Sequence, residues 1–353
     1  MRLDRASGPA EALSGEAPRS GRAPSRLWLL APLLLALLAA GGWCGWWLLV
    51  RSRLETAIDQ AAEDHQRQGR ALAWESRRVE GFPFRVKLVF EGFRFASPSG
   101  WALESPRLEA QANAYQLTRW VGVAPEGLTL VRPQAGRVRI DARLLRASLT
   151  GADETTPRIA IEGVGVRFTP AAGAEPFALA SAERLELHLR PAPGRPADAA
   201  FVVRLRQAAP RPGGLVGFVS AGKPGDFVWQ SVVTRYAALE GADWESAVRT
   251  WSEAGGRLDV VQASFKAGDV SATTRDGVLS AGHDGRLRGR LNLQLSRPLQ
   301  ALAAIGQAAD PAAVDAASAV ARARGANASL PLVFEAGVMT IGPVSLGDAP
   351  RVY

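Results

Sequence analysis

The stretch VEGFPFRVKLVFEGFRF, residues 79–95, holds five of the twelve phenylalanines in this chain of 353 residues. Its apolar side chains alternate with Arg85 and Lys87, which is the two-residue period of a strand with one apolar and one solvated face. The alternating apolar positions are Phe84, Val86, Leu88 and Phe90. The pattern predicts a phenylalanine-rich hairpin that begins a sheet.

Glu-Gly pairs stand where this alternation changes phase. Apolar positions are even-numbered before Gly92 and odd-numbered after it, and the same change occurs around Gly163. Such a slip would turn apolar side chains to water unless a bulge or tight turn absorbs it. Glycine adopts the backbone angles that this requires. We therefore expect irregularities here and interpret Glu80, Glu91 and Glu162 as their polar neighbours, not as catalytic acids.

The alternation recurs along the chain and predicts the fold class. Later apolar positions of one parity are Leu185, Leu187, Leu189, Leu291, Leu293 and Leu295. We expect a mainly β protein with a few helices (α+β), whose large antiparallel sheet is curved or folded into a two-sheet sandwich. Helical patterns occupy residues 227–253 and 298–324, and residues 330–346 predict a closing pair of strands. Residues 190–200 and 207–225 are predicted to be Pro/Gly-rich loops, and either could separate two sheet units.

Residues 27–50 contain no charged side chain over 24 positions. A helix needs about 20 residues to cross the hydrocarbon of a bilayer, so the segment predicts a retained transmembrane helix. A cleaved signal peptide is the alternative, but the run is too long and lacks a small-x-small cleavage site. We expect Trp28, Trp46 and Trp47 at the membrane interface.

The anchor divides the chain into predicted regions. Residues 1–26 are expected to form a disordered tail, residues 51–72 a juxtamembrane helix, and residues 73–353 a β-rich region. The balance of arginines on the two sides favours a cytoplasmic N-terminus. The predicted location is the bacterial inner membrane, crossed once from Leu27 to Val50, with most of the chain in the periplasm.

Composition argues against several classes of function. The net charge is +8 with both signs interleaved, whereas nucleic-acid binders cluster their basic residues. Cys44 is the single cysteine, and it lies in the apolar segment, so the remainder has no disulfide and no cysteine-based zinc site. The three histidines have no metal-binding spacing. We expect no metal, no cofactor and no nucleic-acid partner.

Motifs of catalysis are incomplete. GFVSAGK, residues 217–223, resembles a phosphate loop, but Pro224 stands where Ser or Thr would reach Mg²⁺. GPVSLG, residues 342–347, is one residue too long for a nucleophile elbow. No pair of carboxylates has a diagnostic spacing. The chain is therefore expected not to be an enzyme, and no catalytic residue is predicted.

Four motifs in order resemble a known family. They are GFPFR (81–85), WSEAGGRLDV (251–260), DGRLRGRLNLQL (284–295) and LPLVFEAGVMTIGPVSLG (330–347). With the N-terminal anchor, they resemble the membrane-anchored proteobacterial domain of unknown function 2125 over residues 30–350. The family often has Trp-Gly-Pro where this chain has residues 266–269. It has no established activity, so the resemblance implies no catalytic residue.

Two functions compete at this point. In one, a curved apolar face holds or passes a lipid or another hydrophobic ligand beside the membrane. In the other, the sheet packs on itself and the chain is an envelope scaffold or assembly partner with a closed core. A general likeness to large envelope lipid carriers supports the first only by analogy. An enzyme is the third class, for which no constellation is visible.

Overall fold

The structure is a computed structural model that describes residues 26–212, 214–296, 327–342 and 344–353. It divides into two compact units, the first ending at Leu48 and the second comprising Leu49–Tyr353. The first unit contains most of the apolar part of the N-terminal helix, and the second contains the sheet. The expected tail, residues 1–26, lies outside the described residues except for Arg26.

Helix α1, Arg26–Arg67, is long and apolar enough from Leu30 onward to cross a membrane by its length and composition. The leucines from Leu30 to Leu49 are exposed; Leu38, for example, is 73% exposed. The helix ends at Arg67, so the expected boundary at residue 72 is wrong. Gly69 adopts a left-handed backbone with φ of 74°, which favours a helix end, and its N–H bonds to the carbonyl of Gln66 at 3.0 Å.

The remaining elements are mainly strands. They are β1 Ala71–Ala73, β2 Ser76–Glu80, β3 Arg85–Ala96, β4 Ala102–Asn113, β5 Gln116–Val123, β6 Leu128–Arg132, β7 Gly136–Asp141, β8 Leu144–Thr150, β9 Arg158–Pro170, β10 Leu179–Ala192, β11 Arg195–Pro210, β12 Gly225–Val233, β13 Leu258–Ala267, β14 Val270–Thr274, β15 Gly277–Ala281, β16 Leu287–Ser296, β17 Asn327–Glu335, β18 Val338–Ile341 and β19 Val344–Asp348. Two short helices, α2 Gly214–Val219 and α3 Trp244–Glu253, and a 3₁₀ turn, Tyr236–Ala238, interrupt them.

All described strands belong to one sheet, and each pairing between them is antiparallel. This confirms the predicted mainly β, antiparallel class. At some positions in the sheet, two short strands lie end to end beside one long neighbour. For instance, β1 and β2 both pair with β3. From β9 to β13 each strand pairs with the next, so the sheet continues through residues 190–225.

The predicted loop at residues 190–200 was wrong, because β11 begins at Arg195 and runs to Pro210. The alternation of Phe201, Val203 and Leu205 extends outward through alanines that fit either face of a sheet. Pro196 lies near the start of the strand, where a missing N–H is tolerated. The proline and glycine content of residues 190–200 therefore predicted a break in the sheet where β11 in fact continues it.

The hairpin at residues 79–95 is present, and a backbone irregularity at Gly92, which we call the bulge although the register of β3 with β4 is the same on both sides of it, lies where the phase change predicts it. Gly92 has φ of 61°, and the pairing of β3 with β4 skips Gly92 and Pro106. Phe93 and Phe95 are then partly buried while Arg94 is exposed. At the second site the prediction was displaced by two residues, because the left-handed residue is Gly165, with φ of 63°, and not Gly163.

Phe84 was predicted on the apolar face of the strand and is instead a turn residue that is 65% exposed. The N–H of Arg85 bonds to the carbonyl of Gly81 at 3.0 Å, which closes the turn, and β3 starts only at Arg85.

The helical pattern at residues 227–253 was correct only in its second half. Residues 225–233 form β12, because DFVWQSVV is rich in aromatic and β-branched residues that pack well in a sheet. The helix α3 begins after Asp243, whose carboxylate accepts from the N–H of Ser246 at 2.8 Å. The closing pair of strands is three strands, β17 to β19. The helix predicted at residues 298–324 lies outside the described residues.

The sheet curls, as the accumulated twist of many strands requires. Arg70, just before β1, donates from Nε to the carbonyl of Ala242 and from Nη2 to that of Gly241, both at 2.6 Å. These carbonyls precede α3, whose Trp251 packs with Ala281 of β15. Residues at the first edge of the sheet thus reach an element inserted between β12 and β13.

Gly92→Ala tests the bulge. We expect it to lower the free energy of unfolding by about 1–2 kcal/mol for the left-handed backbone. A further loss is expected because the new Cβ would lie 2.5 Å from Cγ of Glu75. Gly173→Ala is the matched control, since its φ is 75° with open space around the Cβ position. Urea unfolding of the detergent-solubilised chain measures both, and equal losses would contradict the crowded bulge.

Candidate functional site

The strand register gathers apolar side chains on one face of the sheet. Residues that are directly paired across strands point to the same face, so a row can be followed from strand to strand. One such row runs through Leu88, Ala110, Gly122, Ala147, Ile161, Leu187, Val203, Trp229 and Ala263. None of its members is charged. We call the surface that carries this row the apolar face.

The predicted residues other than Phe84 lie on this face. Val86, Leu88 and Phe90 alternate on β3 and are buried, and Leu291 and Leu295 are buried on β16. Leu291 and Leu295 can be traced to the same face through β14. Ala263, the last member of the row, pairs with Thr274 of β14. Ala272 is two residues from Thr274 and so points to the same side, and it pairs with Leu295. The partly buried members are Leu185, Leu187, Leu189 and Leu293.

The opposite face carries a lattice of ion pairs. Glu162 on β9 contacts Arg146 at 2.5 Å and Arg184 at 2.7 Å, and Glu186 on β10 contacts Arg184 at 2.6 Å and Arg204 at 3.6 Å. Each carboxylate thus bridges arginines from neighbouring strands. The two faces differ in chemistry as period-two patterning requires, and Glu162 lies in cross-strand ion pairs on the polar one.

A second group of this lattice lies on β3 and β4. Glu109 contacts Lys87 Nζ at 2.9 Å and Arg107 Nη2 at 2.7 Å. The hydrogen bond from Lys87, followed by that from Arg107, lowers the pKa of the Glu109 carboxyl from its ordinary value. These charges are therefore paired with each other rather than arranged around an empty site.

The second half of α1 covers one end of the apolar face. Asp59 accepts from Arg77 Nη1 at 2.5 Å and from Nη2 at 2.7 Å, and this bidentate pair lowers the pKa of Asp59. Farther along the helix, the rings of His65 and Phe95 meet edge to face at 5.7 Å. Arg77 pairs with Phe90 across strands, so the helix lies on the side of the sheet that carries the apolar row.

A cavity of about 530 Å³ lies at the far end of β3. Phe95, Leu103 and Leu130 form its floor, and they are directly paired with one another on the apolar face. Trp101 and Trp244 contribute to its walls. Arg70 also lines it, but its guanidinium is already bonded to two carbonyl groups, so the free lining is mainly hydrocarbon and indole.

A second cavity, of about 350 Å³, lies on the same face beneath α2. Its floor is the paired series Leu205, Phe227 and Phe265. Val216 of α2 and Lys223 also line it. Both cavities therefore lie along the apolar face, in different parts of the sheet, and both suit hydrophobic matter better than a polar substrate.

The incomplete catalytic motifs do not form sites in the described residues. GFVSAGK falls on α2 and the turn after it, without the strand, loop and helix of a phosphate loop. His188 lies on the ion-pair face, 3.9 Å from Glu186. Within the described ranges, no three histidine, cysteine, aspartate or glutamate side chains form a group able to hold a metal ion.

Comparison with protein families decides the relationship. Residues 47–350 match the model of a family described as an uncharacterized protein conserved in bacteria, DUF2125. The chain belongs to this family. The match confirms the resemblance drawn from the four ordered motifs. No curated protein and no solved structure matches the chain.

Membership in DUF2125 transfers no functional residue, because the family is uncharacterized. The apolar face is therefore the candidate site of this DUF2125 protein on geometry alone. Sequence reasoning missed Trp101, Trp229 and Trp244. Trp229 could have been predicted, since FVWQSVV alternates partly with period two. No pattern in the turn around Trp101 predicts that this residue lines a cavity.

Of the three tryptophans predicted at the membrane interface, Trp28 lies at the start of the apolar run, and Trp46 and Trp47 lie near its end. Trp28 is in the first turn of α1, Trp46 is 45% exposed and Trp47 is buried. Their position at a membrane surface stays a prediction.

Glu109→Gln tests the ion-pair lattice through pH. A carboxyl with a lowered folded pKa stabilises the fold above its unfolded pKa of about 4.3, and this contribution disappears as pH falls through the folded value. At pH 7 the variant is expected to be less stable than the parent by up to about 1 kcal/mol, and by pH 3 the difference should shrink.

The control is Glu183→Gln, an exposed carboxylate on β10 that forms no ion pair within the described part of the chain. Unfolding by urea at both pH values measures the differences. A gap for Glu109→Gln that is unchanged by pH would contradict the electrostatic origin.

Proposed function

We propose that this chain is a non-enzymatic envelope protein, anchored in the bacterial inner membrane, that holds or passes a lipid or another hydrophobic ligand on the apolar face. The observation that carries the proposal is the uncharged row from Leu88 to Ala263, which crosses most of the sheet. An ordinary one-sided sheet buries such a face fully against a second layer.

Partial exposure in the middle of the face supports a ligand. Val86 and Leu88, near the helix, are buried, but Leu185, Leu187 and Leu189 are only partly so. Each CH₂ group of an acyl chain gains about 0.8 kcal/mol when it leaves water. A chain of ten such groups would gain about 8 kcal/mol before the cost of ordering it.

The two cavities extend this argument. Their floors, one at Leu103 and one at Phe227, belong to the same apolar face as Leu187. Linear hydrophobic molecules suit a long face with several depressions, since each segment of the chain contributes separately to binding. A compact polar substrate would find few hydrogen-bonding partners there.

The membrane anchor completes the proposal. The apolar run of α1 would hold the sheet beside a bilayer, raising the effective concentration of lipid without new contacts. Arg19, Arg22 and Arg26 precede the run and Arg51 and Arg53 follow it. That balance supports a cytoplasmic N-terminus and a periplasmic sheet.

An envelope scaffold with a closed core is the second candidate. The bonds from Arg70 to the carbonyls of Gly241 and Ala242 favour it, because they tie the start of the sheet to the loop before α3. In that case the apolar side chains are interior packing, and the chain recognises another envelope protein through its outer surface.

A photo-crosslinking amino acid at Leu187 separates the two functions. In cells that produce the full chain, this position is expected to give lipid adducts after irradiation, because it lies in the middle of the apolar row. Mass spectrometry of the purified protein measures the adducts.

His188 is the matched control, since it is the next residue on β10 and faces the ion-pair lattice. It should give few or no lipid adducts. Equal adducts at both positions, or none at Leu187, would count against a lipid-holding face, and crosslinks from Leu187 within the same chain would support the closed core.

A further inference from the structure

Three exposed aromatic side chains cluster at one end of the sheet. Phe82 and Phe84, in the turn between β2 and β3, are 53% and 65% exposed, and Tyr115, in the turn between β4 and β5, is 68% exposed. The two turns are neighbours, because the N–H of Ala114 donates to the carbonyl of Phe84 at 2.9 Å. We call this surface, formed by Phe82, Pro83, Phe84 and Tyr115, the aromatic tip.

Two contacts fix the direction of α1 along β3. Asp59 lies beside Arg77, which pairs with Phe90, and farther along both elements His65 lies beside Phe95. The helix and the strand therefore run in the same direction. The start of β3, where the aromatic tip lies, points toward the start of the helical segment that belongs to this unit.

The distances place the aromatic tip at the level where the apolar run ends. From Asp59 back to Val50 the helix rises about 14 Å, at 1.5 Å per residue. From Phe90 back to Arg85, where β3 begins after the turn, the strand covers about 17 Å, at 3.3 Å per residue. The turn therefore reaches at least as far along this direction as Val50, the last residue before the charged side chains of Arg51 and Arg53.

We infer that the aromatic tip inserts into the interfacial layer of the bilayer that α1 crosses. This rests on the membrane anchor proposed above and not on lipid binding by the sheet. Aromatic rings favour the zone between headgroups and hydrocarbon. Arg51 and Arg53, which follow the apolar run of α1, suit the headgroup phosphates next to that zone. The tip would be a second attachment, which limits rotation of the sheet about the helix.

We infer that phospholipid contacts the aromatic tip, because the tip lies at the height of Val50, where the apolar run of α1 ends. Two other exposed aromatic residues, Trp101 and Trp244, line instead the cavity at the far end of β3.

Depth measurements on the full chain test the inference. An environment-sensitive fluorophore is attached to Phe84→Cys and, separately, to Tyr115→Cys, each in a Cys44→Ser background, in vesicles of phosphatidylethanolamine and phosphatidylglycerol. Lipids with a nitroxide on the upper acyl chain should quench most of the fluorescence at both positions, and the low polarity of the interfacial layer should shift the emission to the blue.

Two labels calibrate the measurement. The native Cys44, within the apolar run, reports whether the anchor is in the bilayer and should be quenched by a nitroxide deep in the acyl chain. Pro98→Cys, in the exposed turn at the other end of β3, is about 40 Å from the tip at 3.3 Å per strand residue. It should keep its fluorescence.

Quenching at Cys44 with no more quenching at positions 84 and 115 than at 98 would overturn the aromatic tip while leaving the anchor intact. No quenching at Cys44 would overturn the anchor and the inference with it. Neither result bears on lipid adducts at Leu187. The crosslinking experiment therefore tests lipid binding by the apolar face independently of the aromatic tip. Strong quenching at 84 and 115 but not at 98 is the expected result.

Discussion

In an antiparallel sheet, directly paired side chains point to the same face, and every other property of this protein depends on that constraint. A shift of one residue in any strand would move its apolar side chains to the ion-pair face. Gly92 absorbs the phase change on β3 by taking a left-handed backbone opposite Pro106, and Gly165 does so on β9. Because the irregularity at Gly92 is local, Phe93 beyond it packs against Phe90 before it, on the face that carries the uncharged row from Leu88 to Ala263.

Separation of the two faces also explains how each side of this wide sheet is satisfied. The ion-pair face holds arginines and glutamates in cross-strand bridges, so that face needs no second layer. The apolar face is covered at β3 by the second half of α1 and near β15 by α3. Between these covers its side chains are partly exposed, and the two cavities lie on it. This distribution, rather than any polar constellation, makes the face the candidate site.

The sequence predicted the class of fold because the signals involved are local. Period-two alternation, a charge-free run and phase changes at glycine can each be read within about ten residues, and the antiparallel sheet, the apolar helix and the bulge at Gly92 followed from them. The errors share a cause. The break near residues 190–200 was inferred from composition and the helix before Trp244 from the spacing of apolar residues, both of which are local, whereas β11 and β12 are strands because both neighbours pair with them.

By itself the sequence determined that the strands with clear alternation have one apolar side, that a membrane-length helix precedes the sheet, and to which family the chain belongs. Only the tertiary structure decided that these sides join into one row, that Arg70 reaches the loop before α3, and that Trp101 and Trp244 border one cavity. The physical reason is range: alternation depends on neighbouring residues, whereas the curl of a sheet depends on the summed twist of all its strands, which no single segment encodes.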